Sequence, residues 1–387
     1  MPNLSNGFEM FLKKLELPQA VVQKNEQAQA IIEAELKNGL ELFSASQQGG
    51  GKKITPKFIP QGSKVYRTMN YPCHTPPQRV DFDFGVYLPV SYHGKNGEPS
   101  IAAREYFDQV DVILDPLARA RGWLIDPSKE HCTRLIIDNL IHIDIPLYSM
   151  PDVEFQRIAK AMESERLVKN ARGESFVLDN EIEFWDNFAI DKVLLCMRDG
   201  HWKPSDPRKI AMAIREEIRR HTDQLRKVWR YLKAWRDFRW PNGNGPASIY
   251  LMFGALRTFR LCMWRDDLSL CWALKAFENA STTPVLTNEG EDLMKKQKQE
   301  VLVQLEIYAR AFSTDLTTAI NAIEDDGRAE RLVVAHLGDR FPVSVVKPGS
   351  RPNQDISSGL SSAQKAEMIS RQNQSQPLSR PWCCGYE

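Results

Sequence analysis

Two short runs constrain this chain more than anything else in it: Val80-Asp-Phe-Asp-Phe-Gly-Val86 and Ile141-His-Ile-Asp-Ile145. Side chains at i and i+2 of an extended strand share a face. Asp81 and Asp83 therefore project together while Phe82, Phe84 and Val86 turn toward a core. In the second run Ile141, Ile143 and Ile145 make the apolar face, and His142 and Asp144 lie on the other. Both runs read as strands. Asp138-Asn139, between Leu135-Ile-Ile137 and Leu140-Ile141, reads as a hairpin turn that puts Asp144 on the second hairpin strand. Three carboxylates on adjacent strands suit a hard divalent cation such as Mg²⁺, which takes oxygen ligands and shares them with substrate phosphates.

Other residues supply what a triphosphate would need. Gly62 lets the backbone approach closely, and Ser63 offers a hydroxyl and an amide to phosphate oxygens. Lys233 or Arg230, on a later helix, could neutralise the same phosphates. Taken singly, each feature has an ordinary reading. Asp-x-Asp is frequent in turns and exposed strands, and Gly-Ser is more often a turn. The Arg226, Arg230, Lys233 stripe is by default a solvated helix face, and His142 reads as a solvated or core-satisfied imidazole. The ordered conjunction of Gly-Ser, Asp-x-Asp and a later strand Asp points to nucleotidyl transfer with two metal ions.

The chain has 387 residues, ample for two domains. Its formal net charge is only +1, which argues against a duplex nucleic acid partner. Seven cysteines are scattered without metal-ligand spacing, so structural zinc is not expected. No apolar stretch approaches the roughly 20 residues of a membrane span, and no signal pattern opens the chain; a soluble protein of the reducing cytoplasm is expected. After Pro18 the spacing of Val21, Ile32, Leu36, Leu40 and Phe43 predicts one long helix. Ser44 to Gly51, with three glycines at its end, reads as a loop that leads through Lys52-Lys53 to a short element at Phe58 to Ser63. Ser205-Asp-Pro207 announces a helix with a capping residue and proline at its first position. Asn242-Gly-Asn-Gly-Pro246 ends it, and Ala247 to Trp264 reads as a further helix. From Pro348 onward aliphatics thin out, which predicts a disordered tail. The expected division is 1–204, 205–346 and 347–387.

With these residues in view, the chain resembles the cGAS/DncV-like nucleotidyltransferases. The resemblance is carried by Gln61-Gly-Ser63-Lys-Val-Tyr66-Arg-Thr68, Val80 to Pro89, His142-Ile-Asp144-Ile-Pro-Leu-Tyr148, Met197 to Asp206, Leu225 to Asp237 and Gly245 to Ile249. It implies an α+β fold: a polymerase-beta-like nucleotidyltransferase core and an oligoadenylate-synthase-like helical domain, bilobal with a central cleft, and an N-terminal helix as a spine across both lobes. The activity implied is condensation of two nucleoside triphosphates, ATP and GTP, into a cyclic GMP-AMP with release of pyrophosphate. Such a product is a second messenger of CBASS anti-phage defence and acts through an effector that it activates. Two Mg²⁺ ions, with Mn²⁺ as a possible substitute, would be held by Asp81, Asp83 and Asp144, and Asp144 would also help deprotonate the attacking ribose hydroxyl. Nucleotide contacts would come from Gln61, Gly62, Ser63, Tyr66 stacking on a base, Arg134 on the acceptor nucleotide, Lys233 and Ser248.

The 134–144 hairpin is one residue shorter than in a family member that the chain resembles, and Arg67 stands where that member has an acidic residue. The first bears on Arg134 and so on base choice; the second adds positive charge beside the donor site. A ubiquitin-like ligase can join the tail of such proteins to others, but this chain ends Trp382-Cys-Cys-Gly-Tyr-Glu387 and not on a bare glycine. Two other functions fit the same residues: nucleotide transfer to RNA, a small molecule or a protein, and a non-catalytic nucleotide-sensing scaffold. The second conflicts with the cost of holding three like charges together in an idle site.

Overall fold

Alternating burial along one strand sets the architecture. In the computed structural model, which describes residues 3–47, 53–93, 99–172, 193–321 and 326–343, that strand is β2 (Val80–Pro89). Val80, Phe82, Phe84 and Val86 are buried on one face. β2 pairs antiparallel with β1 (Lys57–Gln61), opposing Gln61 to Asp83. The short element expected at Phe58 to Ser63 is thus strand β1 and the start of the short helix α3 (Gly62–Tyr66), which follows at once.

Three further strands, β3 (Leu124–Asp126), β4 (Thr133–Ile136) and β5 (Ile141–Ile145), extend the sheet from β2. β5 runs parallel to β2 and sets Asp81 beside His142 and Asp83 beside Asp144. β4 runs antiparallel to β5 and sets Arg134 beside Asp144. The hairpin turn falls where the sequence puts it, with Asp138 Oδ1 accepting from the amides of Leu140 and Ile141, each at 2.7 Å. Farther along, β2 pairs in parallel with β6 (Leu147–Met150), and β7 (Leu194–Cys196) and β8 (Trp202–Pro204) complete an eight-stranded mixed sheet.

Helices α2 (Gln19–Gln47) and α4 (Pro99–Arg121) cover the apolar face of β2. Ile32, Leu36, Leu40, Phe107, Val110 and Leu114 pack there with Phe82, Phe84 and Ile143. On the other face α5 (Asp152–Arg172) brings Phe155 and Ile158 against Tyr87 and Tyr148.

A second core is all helical. α6 (Pro207–Arg239) starts at the expected cap, with the Asp206 side chain accepting from the Arg208 amide and Pro207 in the first turn. It bends at Thr222, whose φ is +63°, and its Trp229, Leu232 and Trp235 are buried among α7 (Ser248–Leu256), α8 (Asp266–Lys275), α9 (Gln299–Asn321) and α10 (Asp326–Leu337). α7 is shorter than the expected run to Trp264. It stops at Leu256, and the buried Gln224 side chain grips both backbone groups of Cys262 (2.8 and 3.0 Å), which the continued helix would have used.

The N-terminus departs from the expected spine. Helix α1 (Ser5–Lys14) buries Phe8 and Phe11 in the helical core, whereas the buried residues of α2 belong to the sheet core. The chain passes between the cores at Leu15 to Leu17. Phe8→Ala should therefore destabilise the protein by about 3–5 kcal/mol, the usual cost of emptying a buried aromatic site; a urea midpoint near wild type would mean that α1 is only an ornament.

The segment 67–79 straps one core to the other. Lys233 Nζ donates to the Thr68 carbonyl at 2.6 Å. Asn70 and Arg230 exchange two hydrogen bonds of 2.8 and 2.9 Å. Gln78 Nε2 donates to the carbonyls of Asp237 and Trp240 (2.6 and 3.0 Å), and Arg340 donates to that of Tyr71 at 2.8 Å. Two members of the supposed solvated stripe, Arg230 and Lys233, are consequently buried. Met1–Val343 forms one compact unit. The tail 347–387, with the disorder and conjugation expected of it, lies outside the described residues.

Candidate active site

A cleft of about 880 Å³ lies where the polar face of β2 meets the helical core. Its lining includes Gly62, Ser63, Tyr66, Asp81, Asp83, Arg134 and His142 from the sheet side, and Lys233, Arg236, Asp237 and Ser248 from the helices. That volume is at the upper end of the range for small-molecule sites.

Gly62 is fixed by geometry. Its φ is +66°, and a Cβ there would fall 2.2 Å from Asp83 Oδ2, so only glycine lets the turn after β1 close over that carboxylate. Ser63 Oγ stands 3.5 Å from the Asp81 carbonyl. Lys233 reaches the cleft from α6, and burial, with Arg236 nearby, pushes its ammonium down to about 8. Ser248 opens α7 and accepts a 2.6 Å hydrogen bond from Arg236 Nη1. Tyr66 lies against the helical core, and its phenol is pushed up by burial and then by the charge of Asp83.

Gln61 is placed otherwise than the resemblance implies. Its Nε2 donates to the Tyr87 hydroxyl at 2.9 Å and its Oε1 accepts from Tyr148 at 3.2 Å. Both amide ends are spent inside the protein, and Gln61 is absent from the cleft lining. It anchors the turn that Gly62 makes. Arg230, an alternative phosphate partner on sequence grounds, is also turned away, toward Asn70 and Glu16.

The acidic residues fall into an unforeseen grouping. Asp81, His142 and Asp144 bring ligand atoms within 4.8 Å of one another, while Asp83 packs against Gly62 on the same face. His142 Nε2 lies 2.7 Å from Asp81 Oδ1. Desolvation opposes the charge of Asp81, whose side chain is about half exposed to the cleft, but the bond and charge of His142, with Arg134 and Lys233, hold it below the usual carboxylate range. Asp83 is pushed well above that range by burial and by the charges of Asp81 and Asp144. Two carboxylates repelling a third, beside a glycine cradle that a Cβ would fill, form a donor set that a cation would relieve. The residues present fit a divalent metal. His142, passed over in the sequence, belongs to this set because β5 lies parallel to β2, which aligns it with Asp81.

Asp144 is paired with Arg134. Nε and Nη2 of Arg134 donate to its two oxygens at 2.5 and 2.6 Å, and both side chains are largely buried. Arg236, Arg79, Lys129 and His131 also line the cleft, and no sequence motif singled them out.

The comparisons agree with this architecture. The family model for the nucleotidyltransferase domain of cyclic GMP-AMP synthase DncV-like proteins matches residues 56–148, and that for the C-terminal domain of cyclic GMP-AMP synthase matches residues 222–347. A cyclic GMP-AMP synthase of Escherichia coli is 38% identical over 205 residues, 52% of this chain and 46% of that protein. One from Vibrio cholerae serotype O1 is 38% identical over 206 residues, 51% of this chain and again 46% of the relative. The matched segment thus spans about half the length of these curated relatives. Among solved structures, Vibrio cholerae DncV cyclic AMP-GMP synthase in complex with the linear intermediate 5' pppA(3',5')pG superposes with a TM-score of 0.70 at 21% identity, covering 88% of this chain and 96% of that one. The same enzyme with GTP and 5MTHFGLU2 gives 0.71 at 21% identity, covering 89% and 99%. These structures share the fold.

Proposed function

Since the chain belongs to the DncV-like nucleotidyltransferases, we propose that it is a metal-dependent cyclic dinucleotide synthase that joins ATP and GTP into a cyclic GMP-AMP and releases pyrophosphate. One observation carries this reading: parallel pairing of β2 and β5 aligns Asp83 with Asp144, and Asp81 with His142, on the cleft face of the sheet. The relatives' names support the substrates, and the proposed cofactor is two Mg²⁺ ions, with Mn²⁺ able to replace them.

The roles follow from the placement. Asp81, Asp83 and Asp144 would hold the ions. Bound there, the ions would supply charge neutralisation on the phosphates and a lower pKa for the attacking hydroxyl. Asp144 is assigned to receive the proton of that hydroxyl as its oxygen bonds to the α-phosphorus of the donor and the bond to pyrophosphate breaks. Ser63 and the Gly62 turn steady the donor phosphates, Lys233 and Ser248 meet them from the helical side, and Tyr66 stacks on a base. A second such step closes the ring. The proposed setting is the cytoplasm, where the product would act on an effector responsive to cyclic dinucleotides in anti-phage defence.

Purified protein given labelled ATP, GTP and Mg²⁺ should yield a phosphatase-resistant product with the mass of a cyclic GMP-AMP. Linear or acceptor-linked products would favour transfer to another substrate, and tight nucleotide binding without pyrophosphate release would favour a scaffold. Lys233 adds a pH signature. Its ammonium is charged below about 8 and loses its charge above, so KM for the triphosphates should be flat below that pH and climb beyond it. Lys233→Arg should remove the climb, since arginine stays charged throughout.

A further inference from the structure

We propose that Arg134 is a positioning residue that latches Asp144, giving it up to a divalent cation only when a triphosphate draws the guanidinium away. This rests on the nucleotidyltransferase reading, which assigns the cation and the triphosphate. Three observations carry it.

The first is the bond itself. Nε donates to Oδ1 at 2.5 Å and Nη2 to Oδ2 at 2.6 Å, so both oxygens of Asp144 are engaged, and a hard cation needs at least one of them. The second is register. Arg134 stands directly across from Asp144 on antiparallel β4 and β5, so the backbone presents the pair and Arg134 does not reach Asp144 from a distant loop. The third is order of access. Arg134 lines the cleft, while the buried Asp144 is not among the lining residues. Of the pair, it is therefore the Arg134 side chain that borders the cleft.

The fork that grips a carboxylate by two parallel bonds fits a phosphate equally well. A triphosphate in the cleft gives Arg134 an alternative partner of the same geometry and greater charge. When Arg134 turns to it, Asp144 regains both oxygens at the moment the nucleotide is present to share a cation. Metal binding at Asp144 is thereby coupled to nucleotide binding, and the coupling is reciprocal.

The test is direct Mn²⁺ binding to the full chain, read from the free Mn²⁺ resonance signal, first without nucleotide. Arg134→Gln should tighten Mn²⁺ binding about tenfold, the equivalent of one charge-assisted hydrogen bond no longer competing. Arg134→Lys keeps the positive charge but cannot hold both oxygens, and should tighten binding by a smaller factor. A non-hydrolysable ATP analogue should improve Mn²⁺ affinity more in the wild type than in Arg134→Gln. Equal or weaker Mn²⁺ binding by a folded Arg134→Gln protein would overturn the latch. So would an Arg134→Lys protein identical to wild type, because only net charge would then matter. Asp144→Asn and Asp81→Asn serve as the separate control. If both leave Mn²⁺ binding unchanged, the metal-site reading fails and takes the latch with it; if they abolish it while the Arg134 variants are silent, only the latch fails.

Discussion

Asp83→Asn should give a folded, more heat-resistant protein that no longer makes product. Asparagine preserves the shape of the side chain against Gly62 and removes the one carboxylate whose ionisation is opposed by burial and by the charges of Asp81 and Asp144, as its upward displacement records. The melting temperature should therefore rise by a few degrees, the usual relation between a strained site and stability. Synthesis should fall on the order of 10³-fold, the upper range for losing one preorganised electrostatic group. Calorimetry and mass spectrometry of the reaction products check the two halves separately. A variant that loses activity by unfolding would show a lower melting temperature. One that is stabilised yet still active would remove Asp83 from the site.

Gly62→Ala tests the same carboxylate from the other side. The added methyl would need the space 2.2 Å from Asp83 Oδ2, at a φ of +66° where side chains are strained. Either the carboxylate swings or the turn after β1 shifts. A displacement near 1 Å at a reacting centre costs about 10²-fold in rate, and a non-glycine residue held at such a φ costs about 1–3 kcal/mol. The expected result is a synthase slowed about a hundredfold and measurably less stable. Activity within a few-fold of wild type would show that the turn does not hold Asp83.

The strands bearing the acidic residues, the hairpin at Asp138 and the start of α6 were legible because each is written in local pattern: period-two alternation, an Asx turn, a capping aspartate before proline. What failed to show was the direction and partner of contacts between elements far apart in the chain. Nothing in Ile141 to Ile145 says that this strand runs parallel to β2, and that pairing alone makes His142 a neighbour of Asp81. The resemblance implied a nucleotide contact at Gln61, yet its two amide ends meet tyrosines 26 and 87 residues away. Arg230 and Lys233 read as a surface stripe because helical spacing cannot see the strap that buries them. Packing alone assigns α1 to the helical core.

That strap carries a consequence for how the gene can vary. Segment 67–79 is a connection without regular structure, the kind of region that ordinarily tolerates added or lost residues. Here its backbone carbonyls and polar side chains are matched one by one to positions on α6, to Arg340 and to Leu15. A single inserted residue would put every later partner out of step. Its length should be as invariant among working variants as that of a core strand, and an insertion library across the gene should show a gap there.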